Sequence, residues 1–228
     1  MRAAGGGHRA LKTFCGMMDL PPPVHKSSFQ KIRDTVNTAV KAVQEESMKQ
    51  AGLTEYKLAD NPPPDDDSED DGEASTSSDS DNHPLNIDVS VDGTYMTRGF
   101  SSKIGVVSCI GAVSGKVLDI DVKSKVCKKC EHWSKKDPNS EGYQNWKKTH
   151  AKECTMTHEG SSGSMESAIG VDLFGRSLDS HNLRYTRFIG DGDTNSFKRV
   201  SESKPYGDAC VVEKLECVGH VQKRIGTR

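Results

Sequence analysis

The chain has 228 residues, 33% hydrophobic and 28% charged, enough for one domain of ordinary size with unfolded stretches beside it. No run approaches the roughly 18 apolar residues that span a bilayer, and the N-terminal MRAAGGGHRALKTFCGMM lacks the apolar core of a signal peptide. A soluble, intracellular chain with no membrane partner is expected. Its seven cysteines are odd in number and metal-like in spacing, which points to a reducing compartment rather than to disulfides. The net charge of −2 hides an asymmetry: residues 62–84 hold nine acids and no Lys or Arg, while residues 85–228 hold 22 Lys and Arg against 18 Asp and Glu. A mildly basic domain behind an acidic leader is compatible with a polyanionic partner.

Residues 1–26 are Gly-rich and then Pro-rich, and no fold is assigned to them. Over residues 27–52 a helix is predicted. Ser27 and Gln30 have capping-box spacing, and Phe29, Ile32, Val36, Ala39, Val40 and Val43 share one face. Gly52 is its expected stop. Such a helix binds a partner or DNA, or simply packs on a neighbouring piece of the protein. Residues 53–85 form a linker whose core, NPPPDDDSEDDGEASTSSDSDNHP, has too little apolar surface to fold. The folded domain is expected over 86–228.

That domain opens with NIDVSVDGTYMTRGF. Ile87, Val89 and Val91 alternate with Asp88, Ser90 and Asp92, the period of a strand with one face on a core. The strand is predicted to end at Asp92–Gly93, where a carboxylate either caps a turn or serves a metal. The apolar run 103–113 and the alternating 116–122 add two strands, giving an antiparallel meander. Cys109 reads as a small core residue, and Asp119 and Asp121 as charges on a solvated face.

Residues 127–160 interrupt the sheet. Cys127, Cys130, His150 and Cys154 have the spacing C-x2-C-x19-H-x3-C. The first pair suits a tight turn, and the second is expected on one helical face, His and Cys being four residues apart. Four such ligands with no open position specify structural zinc. His132 and His158 lie nearby as substitutes. Seven lysines and the rings of Trp133, Tyr143 and Trp146 share this segment, a combination that suits nucleic acid, although the rings also serve as the core of a small module.

A helix is predicted over Ser164–Leu178 and a strand over Tyr185–Ile189, ending at Asp191 with Asp193 close behind. Two acid-ended strands suggest one shared metal site. Near the C-terminus Cys217 and His220 form C-x2-H. As a zinc half-site this pair needs Cys210, as a nucleophilic pair it lacks a third group, and His220 is otherwise suited to hold a phosphate or a carboxylate. The sum is a mixed α/β domain.

Asp92 in VSVDGTYMTRG, Asp191 in YTRFIGDGD, and Cys217 with His220 in ECVGHVQKR resemble, in order and spacing, the Mutator-like transposase domain of eukaryotic DNA transposons. The insertion CKKC…H…C and GSSGSME (Gly160–Glu166) fit one branch of it. The resemblance covers residues 88–228, and 21–50 more loosely. It implies a ribonuclease H-like mixed sheet with an inserted zinc-binding module. It also implies a DDE-type site in which two aspartates and a later glutamate hold two divalent ions, Mg²⁺ or Mn²⁺. Asp92 is then the first acid and Asp191 the second, with Asp193 as its alternative. His220, with Cys217 as its motif partner, matches the C-x2-H that lies between the second and third acids.

In that family the third acid follows the C-x2-H motif. Here Arg228 is reached without one, and Glu213 and Glu216 precede the motif. The expectation is therefore a domain incomplete at its C-terminus, an inactive fragment of a transposase. The resemblance further implies transposon-end DNA as partner, a homo-oligomer in the full-length family, and the nucleus as location. The alternatives are a catalytically dead zinc-containing DNA- or protein-binding module, and a relic with no selected role.

Overall fold

The computed structural model describes residues 7–62, 83–97, 101–190 and 194–216, so the acidic core of the linker lies outside the described residues. The chain divides into two units, Met1–Ser47 and Met48–Arg228.

In the first unit, helix α1 (His8–Met17) occupies part of the stretch to which the sequence assigns no fold. His8 explains its position, with Nε2 2.9 Å from the Val24 carbonyl and its ring edge-on to Phe29 at 5.4 Å. Helix α2 (Lys26–Asp60) begins without the expected capping box, since Ser27 Oγ pairs with His25 Nδ1 and the Gln30 amide turns to Asp34. Within this unit Ile32, Val36, Ala39, Val40 and Val43, five of the six residues of the predicted stripe, stay exposed.

In the second unit α2 runs past Gly52 instead of stopping there. Gly52 is a point of close approach, where any Cβ would collide with the His181 ring. One turn further on, the fully buried Glu55 lies against Gly111 and accepts N–H bonds from Val113 (3.2 Å) and Ser114 (3.0 Å). This carboxylate satisfies the turn after β2, as a buried charge must be satisfied by donors.

The sheet is five-stranded, in the order β3-β2-β1-β4-β5. Strands β1 (Leu85–Tyr95), β2 (Ile104–Gly111) and β3 (Val117–Ser124) form the predicted antiparallel meander. Strands β4 (Leu183–Gly190) and β5 (Glu213–Glu216) add to it in parallel, β4 on β1 and β5 on β4. Val89, Val91, Val107 and Cys109 put the core on one face, where helix α5 (Ser162–Gly175) supplies Ile169, Leu173 and Phe174. Burial of such side chains is the main stabilising term. Asp88, Ser90 and Asp92 alternate onto the other face.

Several expectations need correction. β1 does not end at Asp92: Gly93 and Tyr95 still pair with Val107 and Gly105 of β2, while among the described residues the β4 pairing runs to Val91–Gly190. The predicted Ser164–Leu178 helix breaks at Arg176 into α5 and α6 (Ser177–His181). At that break Arg176 reaches Asp119, donating from Nε (2.7 Å) and a terminal nitrogen (2.9 Å). Asp119 is therefore a buried, paired acid and not a solvated charge. Helix α7 (Thr194–Ser203), packed on α5, and strand β5 occupy a polar stretch in which the sequence predicts no element. Cys109 is a core residue, as expected. Among the described residues no helix is long and apolar enough to cross a membrane.

Candidate metal centre and acidic strand ends

The insertion leaves the sheet and returns to it at a single residue. The Ser124 carbonyl accepts from the amides of Thr157 (2.8 Å) and His158 (3.1 Å), and Ser124 N donates to Thr157 Oγ1 at 3.0 Å. Everything between is a closed excursion from the end of β3. Cys127 caps helix α3 (Lys128–Trp133), which carries Cys130 in its first turn. Helix α4 (Glu141–His150) starts at Ser140, whose Oγ accepts from the Tyr143 amide at 3.3 Å, a regular N-cap. Along α4, Tyr143, Trp146 and His150 recur at helical spacing and face α3.

Four donor atoms converge. The sulfurs of Cys127, Cys130 and Cys154 and one nitrogen of His150 all lie within 4.8 Å of one another. His150 Nε2 is 3.4 Å from the Cys127 sulfur and 3.2 Å from that of Cys130, and the Cys130 and Cys154 sulfurs are 3.6 Å apart. Zn–S bonds of about 2.3 Å and Zn–N bonds of about 2.0 Å at tetrahedral angles place ligand atoms roughly 3.5–3.8 Å apart. The donor set and its spacing thus fit one tetrahedral ion.

One expectation about this cluster changes. His150 and Cys154 do not project from one helix face: α4 ends at His150, a 3₁₀ turn (Ala151–Glu153) follows, and Cys154 is in extended backbone. The two substitutes are placed elsewhere. His132 is exposed and edge-on to Trp133, and His158 Nε2 meets Ser164 Oγ at 2.8 Å at the start of α5.

The Cys130 N–H, aided by the Thr155 amide and hydroxyl against the effect of burial, lowers the Cys127 thiol to about 5. Burial, then the neighbouring Cys154 and Cys127 sulfurs, pushes Cys130 up to about 12. A cation would remove that contrast by holding both as thiolates. His150 Nδ1 is buried with no hydrogen-bond partner. The ring is instead held by stacking, 4.7 Å from Trp146, which stacks in turn at 5.0 Å on Trp133. Tyr143 tilts against Trp146 at 5.5 Å. These rings form the core of the module, one of the two roles the sequence left open.

The acids lie on the sheet. Asp92 is exposed and pairs with Ser108 of β2, whose hydroxyl donates to the Asp92 carbonyl at 3.4 Å. Val91 and Gly190 are partners in the β1–β4 ladder, and the residues that follow them are Asp92 and Asp191. Asp191, Asp193, Cys217 and His220 lie outside the described residues. Glu213 and Glu216 are exposed on the edge strand β5, and Cys210 is a half-buried free thiol.

The sequence did not reveal the carboxylate packed against Gly93, the residue after Asp92. Glu166 of α5 accepts from the Tyr95 hydroxyl at 2.9 Å, and its carboxyl lies so close to Gly93 that an added Cβ would stand 2.7 Å from Cδ. The signal in the sequence was the glycine directly after Asp92, read as a strand stop rather than as room for an incoming carboxylate.

The Mutator-like transposase family matches residues 1–228. No curated protein and no solved structure matches the chain.

Proposed function

The chain belongs to the Mutator-like transposase family, and from that membership we propose that it is a nuclear DNA-binding polypeptide. In this reading Asp92 and Asp191 are the first two acids of a DDE site on a ribonuclease H-like sheet, with Asp193 as the alternative second acid and His220, beside Cys217, near them. The observation that carries this reading is the parallel pairing of β1 with β4, the two strands from which these acids follow. Paired strands are about 4.8 Å apart, close enough for two carboxylates to share an ion.

Carboxylate oxygens suit Mg²⁺ or Mn²⁺, which would supply Lewis-acid chemistry for phosphodiester cleavage or transfer. The chain's own part is to hold hard, negative oxygens side by side on a rigid sheet. The Cys127, Cys130, His150 and Cys154 cluster holds a structural zinc ion. Its closed donor set supports that assignment over a catalytic metal, because no ligand position is left for water.

What the reading assigns to these two acids is ion binding, so the test is metal binding. Mn²⁺ should bind weakly to the zinc-loaded chain, read by its paramagnetic resonance signal, and Asp92→Asn or Asp191→Asn should each lower the affinity about tenfold. Unchanged Mn²⁺ affinity in both variants would refute the shared site.

A further inference from the structure

The zinc module carries a cleft that the metal does not use. It holds about 400 Å³ and is lined by Lys129, Trp133, Trp146, Thr149, His150 and Glu153. Its wall is the ladder of rings from His150 through Trp146 to Trp133. Trp133 and Trp146 are only half-buried, although a module of this size has few other large rings with which to build its core. Trp133 ends the ladder: Tyr143 and His132 meet it only edge-on, and among the described residues no ring stacks on its outer side.

Residues 127–154 hold seven lysines against four acids. Lys129 is neutralised by Glu153 at 2.8 Å. Among the described residues Lys128, Lys135, Lys136, Lys147, Lys148 and Lys152 have no carboxylate at ion-pair distance, and all six are exposed. Two of them, Lys147 and Lys148, follow Trp146 directly on α4. A ringed cleft on a module that carries six exposed, unpaired ammonium groups is complementary to a ligand with flat faces and regularly spaced anions.

We propose that this cleft binds single-stranded nucleic acid, an unpaired base stacking at the Trp133 end of the ladder while the lysines hold the flanking phosphates. The proposal rests on the nucleic-acid reading above and assigns a surface to it. A paired base keeps both faces inside its own duplex and cannot reach the ring, so the cleft discriminates for unpaired bases, whereas the lysines alone do not.

The chain's two tryptophans are both in this ladder, so its tryptophan emission reports on the cleft alone. The full zinc-loaded chain is titrated with oligothymidylate, with an abasic strand of equal length, with the corresponding duplex, and with polyglutamate. Oligothymidylate should quench the emission and bind about tenfold more tightly than the abasic strand, the factor expected of stacking one base on an aromatic ring. Trp133→Ala should erase that preference while a zinc assay still finds one ion per chain. Lys147→Glu with Lys148→Glu should weaken both strands alike and leave the preference intact.

Equal binding of oligothymidylate and abasic strand, or equal quenching by polyglutamate, overturns the proposal. Duplex binding without any change in emission also overturns it, yet leaves the DNA-binding reading standing. Failure to bind any of the nucleic acids refutes both.

Discussion

Removing the zinc should unfold the inserted module and spare the sheet. The module has no share in the main core, which is built from residues such as Val89, Val107, Ile169 and Phe174. Its own apolar contacts reduce to three rings and the metal ligands. Both of its ends are pinned at Ser124, so opening the loop between them leaves the β2–β3 ladder in place. A zinc ion at about 100 times its dissociation constant contributes about 2.7 kcal/mol to the form that binds it, enough to decide the state of a segment with so small a core. Chelation, or Cys130→Ser, should shift the tryptophan emission to the red and open residues 127–154 to protease. Far-UV dichroism should change little, because α3 and α4 contribute 6 and 10 residues beside the 35 of α2. Unshifted emission in a chain stripped of zinc would refute the coupling. A single transition in which sheet and module melt together would refute their independence.

Three further outcomes follow from contacts in the sheet unit. Gly93→Ala should push Glu166 off the Tyr95 hydroxyl and cost about 1–2 kcal/mol in urea unfolding, with Tyr95→Phe costing less because it makes no clash. Asp119→Ala should cost about 2 kcal/mol in the same assay, below the usual figure for a broken buried pair because Arg176 keeps part of its hydration. Burial, against the hydrogen bond to the Leu118 carbonyl, holds His181 below its ordinary range. The unfolded chain therefore takes up its proton first as the pH falls, and the His181 contribution, present above about pH 6.5, is lost below it. The melting-temperature gap between wild type and His181→Gln should narrow on acidification, and a gap that widens would reverse the sign.

The elements legible in the sequence are those whose burial follows a local period. β1 announces itself because Ile87, Val89 and Val91 alternate over a one-sided core. The metal cluster was legible because thiolate and imidazole spacing is set by coordination and not by packing. Helix α7 was not, because Ser196 takes one of its buried positions and leaves Phe197 and Val200 too few to show a helical period. β5 is four residues long with one apolar side chain, and only its partner β4 makes it a strand. The break at Arg176 was invisible for a different reason. Leu178 continues the apolar series into α6, while the pull on Arg176 comes from Asp119, distant in sequence. The stripe on α2 predicts a buried face, but Ile32 and Val43 remain exposed within their own unit, so amphipathic spacing there did not translate into burial.

What alternation could not supply is the offset between β1 and β4, and that depends on one irregularity. The β1–β4 ladder shifts between Ile87 and Asp88, where Thr186 and Arg187 together oppose Asp88. Thr186 Oγ1 reaches back to the Ile87 carbonyl at 3.4 Å and Arg187 Nε donates to Asp88 at 2.6 Å, so the bulge is tied on both sides. Beyond it paired residues differ by 99 in number, the same separation as Asp92 and Asp191. Without the shift Asp92 would face Gly190, and a one-residue slip also turns side chains to the other side of the sheet. In the proposed site the bulge absorbs the one residue by which β4 is longer than β1 ahead of the second acid, as bulges commonly do beside functional sites. Deleting Thr186 removes the extra residue without altering the pairing after Arg187, so Mn²⁺ affinity should survive the deletion. Inserting one alanine after Phe188 displaces the second acid by a residue and should lower that affinity about tenfold. The reverse result, loss on deletion and retention on insertion, would show that the register of β4 does not set the site.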